Sequence, residues 1–258
     1  MKKKTVYFEN EEKDEFSKAK IQPKVIDSGY KYLPKSKTEK IFGAILYRAV
    51  GTPIAYFYVK LRFARKIIGG EKIKPYKKSG FFLYGNHTHA IFDALNPGTL
   101  VFFKKAYTIA SAENLAIKGI GRFVKYLGAI PIPKTTGAYR NFKKAIEEKI
   151  DGGNCIVIYP EAHIWPYHTG IRSFSETPFY FPVSLNTPVF CFTNTYHKRA
   201  FFGTKVITYI DGPFFPDPEL DKKESAKDLR DRVYAAMKER ARTSTLTRVE
   251  YVKREDTE

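Results

Sequence analysis

The sequence predicts an α/β fold: a single domain with a mixed, largely parallel sheet flanked by helices, preceded by an N-terminal amphipathic helical pair. Three observations predict it. Short apolar runs such as FFLYG (81–85) and CIVIYP (155–160) stop abruptly at small or polar residues, as buried strands entering loops do. Segments of helical period lie between them, YRNFKKAIEEKI (139–150) being the clearest, and strands alternating with helices imply an α/β sheet. The length, 258 residues, suits one sizeable core better than two large domains.

Taken in order, residues 1–38 are polar, mixed in charge and aperiodic, and are expected to form a loosely held arm. Residues 39–70 differ. No acidic residue lies between Glu39 and Glu71, and large apolar residues alternate with Lys40, Arg48, Lys60, Arg62, Arg65 and Lys66. Gly51-Thr52-Pro53 interrupts the run, so two short helices are expected, with proline as the break. Residues 41–59 are about long enough to span a bilayer, but Arg48 near the middle costs roughly 2.5–3.5 kcal/mol on the insertion scale. Lying in the interface, with aromatic rings toward lipid and basic groups toward phosphates, suits every residue type better. Arg48, Lys60, Arg62, Arg65 and Lys66 are thus the expected membrane-binding residues.

The domain proper is expected over 71–220, with a charged C-terminal helix and tail over 221–258. Within it, 81–85, 100–104, 107–112, 154–160, 188–196 and 205–210 read as strands. Residues 91–95, 117–127, 139–150 and 222–242 read as helices, and Gly152-Gly153 ends the third of these. Residues 129–133 (AIPIP) are extended, because a residue before proline is pushed out of the helical region. The long segment 163–182, rich in aromatics and proline, is expected to shape a ligand pocket.

The net charge is +18, and its distribution is uneven: residues 1–80 hold 20 of the 45 Lys/Arg but only 8 of the 27 Asp/Glu. A basic terminal region points to an anionic partner. The basic residues cluster beside aromatics and no nucleic-acid-binding motif occurs, which favours an anionic membrane surface over nucleic acid. Cys155 and Cys191 lie within apolar runs and read as buried thiols. The basic N-terminus has no apolar stretch behind it, so no secretory signal is expected and a cytoplasmic origin is the default.

Two of the expected strands end in polar clusters, Gly85-Asn86-His87-Thr88-His89 and Tyr159-Pro160-Glu161-Ala162-His163. Ligands of open α/β sheets sit at such strand ends. A histidine held by a carboxylate is a general base. His89 is four residues from Asp93 and would share a helix face with it, whereas His87 reaches Asp93 only from a loop before the helix. Spacing alone favours His89.

Asn86-His87 with Asp93, then residues 128–134 (GAIPIPK), then Tyr159-Pro160-Glu161, then Pro188-Val189-Phe190 resemble, in order and spacing, the four blocks of the glycerolipid acyltransferase family, which includes the 1-acylglycerol-3-phosphate acyltransferases. The resemblance covers roughly 80–215, and Asp211-Gly212-Pro213 is also like the family. It implies His87 as base and Asp93 as its orienter, with His89 the alternative base, because the family places four residues between base and aspartate and this chain has five. It implies substrate-binding roles for Asn86, Lys134, Glu161 and Arg172. Lys134 stands where the family's second block usually ends in arginine, and the arginine of the third block is missing, Arg172 being the candidate replacement.

The activity implied is transfer of a fatty acyl group from a thioester donor, acyl-CoA or acyl carrier protein, to the hydroxyl of a lysophospholipid such as lysophosphatidate. No cofactor or metal is implied, and the expected place is the cytoplasmic face of a membrane, peripheral or monotopic. Two other readings stand beside it. One is a catalytically inactive or altered-specificity lipid-binding member. The other is a metal hydrolase, since His87-Thr88-His89 is similar to the start of the metallo-β-lactamase motif and His163 and His168 could add ligands.

Overall fold

The structure, a computed structural model, describes residues 3–16, 25–34, 36–119, 121–200 and 203–254. Its central sheet is built from β2 (Lys66–Ile68), β3 (Phe81–Gly85), β4 (Ala106–Ala110), β5 (Ala129–Pro131), β6 (Cys155–Ile158), β7 (Val189–Lys198) and β8 (Thr204–Phe214). The seven strands run in the order β2-β8-β7-β3-β6-β4-β5, parallel throughout except for the antiparallel pair β7–β8. The mixed, largely parallel sheet expected from the sequence is therefore present. Every residue of β3 and β6 is buried, which explains why both read as unbroken apolar runs rather than alternating ones.

Helices cover both faces. On one, α5 (Thr136–Asp151) packs Phe142, Ile146 and Ile150, and α7 (Lys222–Ala241) packs Leu229, Val233 and Met237, against Phe82, Ile156 and Cys191. Both helices are capped by their own sequence. The Thr135 hydroxyl accepts the N–H of Ala138, and the Asp221 carboxylate accepts those of Lys223 and Glu224. On the other face lies α3 (Ala90–Leu100), whose Phe92 packs with Val59 and Phe63 of α2 (Thr52–Phe63) and with Tyr196 and Val206 of the sheet.

The N-terminal helical pair is present, but unbroken. α1 (Lys37–Ile45) passes through a wider π-helical stretch, Leu46–Gly51, directly into α2. Pro53 falls in the first turn of α2 and does not end the helical stretch. The Thr52 hydroxyl meanwhile donates to the Tyr47 carbonyl. Among the described residues no helix is long and apolar enough to cross a membrane.

Other expectations are corrected. The N-terminal arm is not loosely held over its described first stretch: β1 (Lys4–Phe8) pairs in parallel with β9 (Val249–Lys253), joining the two ends of the chain. Phe8 and Phe16 rest on the buried Trp165 ring, which supplies the apolar partner that the arm's own sequence lacks. Residues 17–24 of the arm lie outside the described residues. Residues 66–68 are a strand at the edge of the sheet, not helix. Residues 100–104 are not a strand, because α3 runs on to Leu100. Residues 117–127 hold only the short α4 (Gly121–Val124), since Gly119 sits at φ +81, outside the helical region.

Candidate functional site

β3 and β6 are paired neighbours, with Tyr84 opposite Ile158. The two polar clusters therefore leave the sheet side by side, and the His87 ring stacks on that of Tyr159 at 4.4 Å between centroids.

The loop after β3 settles which histidine meets the carboxylate. His89 is the N-cap of α3, with extended backbone (φ −163, ψ 113), and its Nδ1 accepts the N–H of Phe92 at 3.2 Å. His87 lies in the loop before the cap, and its Nδ1 is 2.9 Å from Asp93 Oδ2. That same oxygen accepts the N–H groups of Thr88 at 2.7 Å and His89 at 2.8 Å. The carboxylate thus binds the loop that presents His87. Asp93 is fully buried, while the His87 side chain keeps 17% of its exposure. With Nδ1 on Asp93, Nε2 is the ring nitrogen left for a substrate.

Tyr159 supports the His87–Asp93 pair from behind. Pro97 has no N–H, so the Asp93 carbonyl one turn earlier in α3 lacks its helical donor. The half-buried Tyr159 donates its hydroxyl proton to that carbonyl at 2.5 Å. Burial pushes the Tyr159 phenol well above its ordinary value, so it remains a donor.

Three residues expected to touch substrate lie at the back of the site instead. Asn86, 1% exposed, bridges β3 to β7: its amide donates to the Asn194 carbonyl at 3.0 Å and its oxygen accepts the Asn194 N–H at 2.8 Å. Glu161, 3% exposed, accepts the His87 N–H at 3.1 Å on Oε2 and the Arg172 N–H at 3.1 Å on Oε1. Arg172 is wholly buried, 3.2 Å from Glu161, and also donates to the His163 and Glu11 carbonyls. Its guanidinium stacks on Trp165 at 4.8 Å. Burial pushes the Glu161 carboxyl up from its ordinary value, against the pull of the Arg172 guanidinium and the two backbone N–H groups. Arg172 therefore replaces no surface arginine; it anchors the loop. Lys134 alone of the four is exposed, between β5 and α5.

The loop anchored by Glu161 and Arg172 pairs with residues 87–88 themselves. Trp165 N–H donates to the His87 carbonyl at 3.1 Å, and Tyr167 N–H to that of Thr88 at 2.9 Å. The N-terminal arm closes over it, the Asp14 carbonyl accepting the Trp165 indole N–H at 2.8 Å. The two histidines considered as further metal ligands go elsewhere: His163 Nδ1 is 3.5 Å from Glu15, and His168 packs on Trp165 and Tyr251. Among the described residues no group of three or more His, Cys, Asp or Glu side chains is arranged to hold a metal ion.

Of the residues expected to bind a membrane, Arg48, Lys60, Arg62 and Lys66 are exposed. Arg65 is a correction. It is 8% exposed, and its Nη1 donates at 2.5 Å to both Asn96 Oδ1 and Thr99 Oγ1 of α3. Asn96 and Thr208 donate in turn to Asn194 Oδ1, so this polar seam fastens α3, and with it Asp93, to the sheet. Burial pulls the Arg65 guanidinium down to about 10.

No family model and no curated protein matches the chain. A solved structure does: the 1-acyl-sn-glycerophosphate (LPA) acyltransferase PlsC from Thermotoga maritima, at 17% identity and a TM-score of 0.52, over 81% of this chain and 84% of that one. The chain shares that acyltransferase's fold. Within this shared fold, sequence reasoning missed Tyr159 as a support, Asn194 as the hub of the seam, and the backbone pairing of Trp165 and Tyr167 to His87 and Thr88. Pro97 in a helix was the one local signal, since it leaves a carbonyl that something must serve.

Proposed function

We propose that the chain is an O-acyltransferase that moves a fatty acyl group from a thioester, acyl-CoA or acyl carrier protein, to the hydroxyl of a lysophospholipid such as lysophosphatidate at a membrane surface. The observation that carries the reading is His87 Nδ1 held at 2.9 Å by a fully buried Asp93, on the fold of an acyltransferase. Asp93 keeps the proton on Nδ1 and stabilises the imidazolium. Nε2 takes the proton from the acceptor hydroxyl, and the oxygen attacks the thioester carbonyl carbon. The tetrahedral adduct collapses, the C–S bond breaks, and the departing sulfur receives the proton from Nε2. His89 is the weaker candidate for the base because its Nδ1 is engaged as the cap of α3.

The membrane surface is part of the same proposal. α1 and α2 expose Ile41, Phe42, Ile45, Ile54, Phe57 and Leu61, with Leu61 68% exposed and Phe102 nearby in the chain's fold through the Arg48 bond to its carbonyl. Each such side chain is worth roughly 1.5–3 kcal/mol when fully buried. An apolar face fringed by Lys40, Arg48, Lys60 and Lys66 supports binding in the plane of an anionic bilayer. Thiol release from acyl-CoA on adding lysophosphatidate, with anionic vesicles present, tests the reading. Release that depends on the lysolipid is expected; no release with any lysolipid or either carrier overturns it.

A further inference from the structure

A phosphate-bearing acceptor needs a cation near the base, and the arginine best placed in the sequence, Arg172, is buried on Glu161. The structure holds two other guanidiniums beside His89. The His89 ring stands edge-on between Phe63, 5.1 Å away, and Tyr167, 5.6 Å away. Each of those rings carries an arginine: Arg62 Cζ is 5.2 Å from the Phe63 centroid, and Arg248 Cζ is 4.4 Å from that of Tyr167. The row Arg62–Phe63–His89–Tyr167–Arg248 thus flanks the base segment, with one arginine from the end of α2 and one from the residue before β9.

We propose that Arg62, His89 and Arg248 form a subsite for a phosphate group next to the general base; the assignment rests on the acyl-transfer reading for what the phosphate belongs to. Among the described residues neither arginine has a carboxylate partner, and the side-chain hydrogen bond of Arg248 goes to the neutral hydroxyl of Thr204 at 3.1 Å. Both guanidiniums lie within electrostatic reach of the His89 ring, and unpaired guanidiniums held on aromatic faces suit an oxyanion, which takes charge-assisted bonds from them. His89 adds a third donor. Its Nδ1 accepts the Phe92 N–H, so the neutral ring carries its proton on Nε2. Burial first, and then the two arginines, lower the tendency of His89 to protonate, while Asp93 opposes them. A bound phosphate reverses the arginines' effect. The subsite also gives the paired chain ends a purpose, since Lys4 N–H of β1 donates to the Arg248 carbonyl at 3.0 Å and holds that residue in place.

The phosphate could be the acceptor's or coenzyme A's, and four substrate pairs separate the sources. Lysophosphatidate or monoacylglycerol serves as acceptor, with acyl-CoA or the phosphate-free acyl-N-acetylcysteamine as donor. In the Arg62→Gln/Arg248→Gln variant, KM for lysophosphatidate is expected to rise about tenfold or more relative to its rise for monoacylglycerol with either donor, the loss of two charge-assisted contacts. A selective rise for acyl-CoA instead supports the subsite and gives its phosphate to the donor. An equal change in all four pairs overturns the subsite. Independently, the His89 ring is followed by NMR while sn-glycerol 3-phosphate or glycerol is added. A rise in the His89 pKa with the phosphate alone, lost in the double variant and partly kept in Arg248→Lys, is expected. No response in wild type overturns the subsite. If no acceptor is acylated, the function proposed above fails, and this titration still decides the phosphate site.

Discussion

Glu161 Oε2 lies 3.2 Å from Arg172 Nη2 and 3.1 Å from the backbone nitrogen of His87, all three buried or nearly so. One carboxylate therefore ties the loop after β6 to the residue expected to act as base. Removing one member of a buried pair leaves an uncompensated charge, so Arg172→Met should destabilise the fold by about 3–5 kcal/mol. Glu161→Gln with Arg172→Met should be less harmful than Arg172→Met alone. Urea unfolding of both variants checks this, and equal losses would contradict it.

Tyr159 serves the carbonyl that Pro97 leaves open. Tyr159→Phe keeps the ring stacked on His87 but removes the donor to Asp93, which should cost about 1–3 kcal/mol in stability. Pro97→Ala in the same background restores a helical N–H for that carbonyl and should recover part of the loss. A double variant no more stable than Tyr159→Phe contradicts the assignment.

Burial lowers His168 from its ordinary 6.5 to about 4, with Arg172 adding to the shift. The unfolded chain then binds a proton that the folded chain refuses. The stability this provides is complete above about pH 6.5 and is lost as pH falls from there toward 4, on the order of 3 kcal/mol for the whole shift. Unfolding free energies measured from pH 7.5 down to 4.5 should fall more steeply in wild type than in His168→Gln. Parallel curves would show that His168 is not the group responsible.

On the helical pair, Ile54→Glu with Phe57→Glu places charge on two side chains that are each 60% exposed. Fold stability should change by no more than about 0.5 kcal/mol per site, as at most surface positions. Flotation with anionic vesicles should fall at least about tenfold, since two apolar anchors are lost. Unchanged flotation would place the membrane contact elsewhere.

What was legible in the sequence follows from where the determining physics is local. β3 and β6 are buried on both faces and so read as continuous apolar runs, and α5 declares itself by its cap and its apolar spacing. The pairing of His87 with Asp93 was not legible from spacing, because it depends on His89 leaving helical geometry to cap α3, which gives His87 the reach that a continuous helix denies it. The β1–β9 pair joins opposite ends of the chain, and no local pattern announces it. Arg172 looks like any exposed arginine until Glu161, Trp165 and the N-terminal arm enclose it. Arg65 sits in an exposed-looking basic run, and only the neutral partners Asn96 and Thr99 reveal it as interior.

The most direct measurement is lysolipid-dependent thiol release from acyl-CoA by wild type, His87→Ala, His89→Ala and Asp93→Asn, each checked for unfolding. His87→Ala should lose about 100-fold or more in kcat, the range for removal of a general base. Asp93→Asn should lose at least as much, because it puts the wrong tautomer on His87. His89→Ala should keep a far larger share of kcat and lose chiefly in KM. A His87→Ala enzyme near the wild-type rate, beside an inactive His89→Ala, would contradict the assignment of the base.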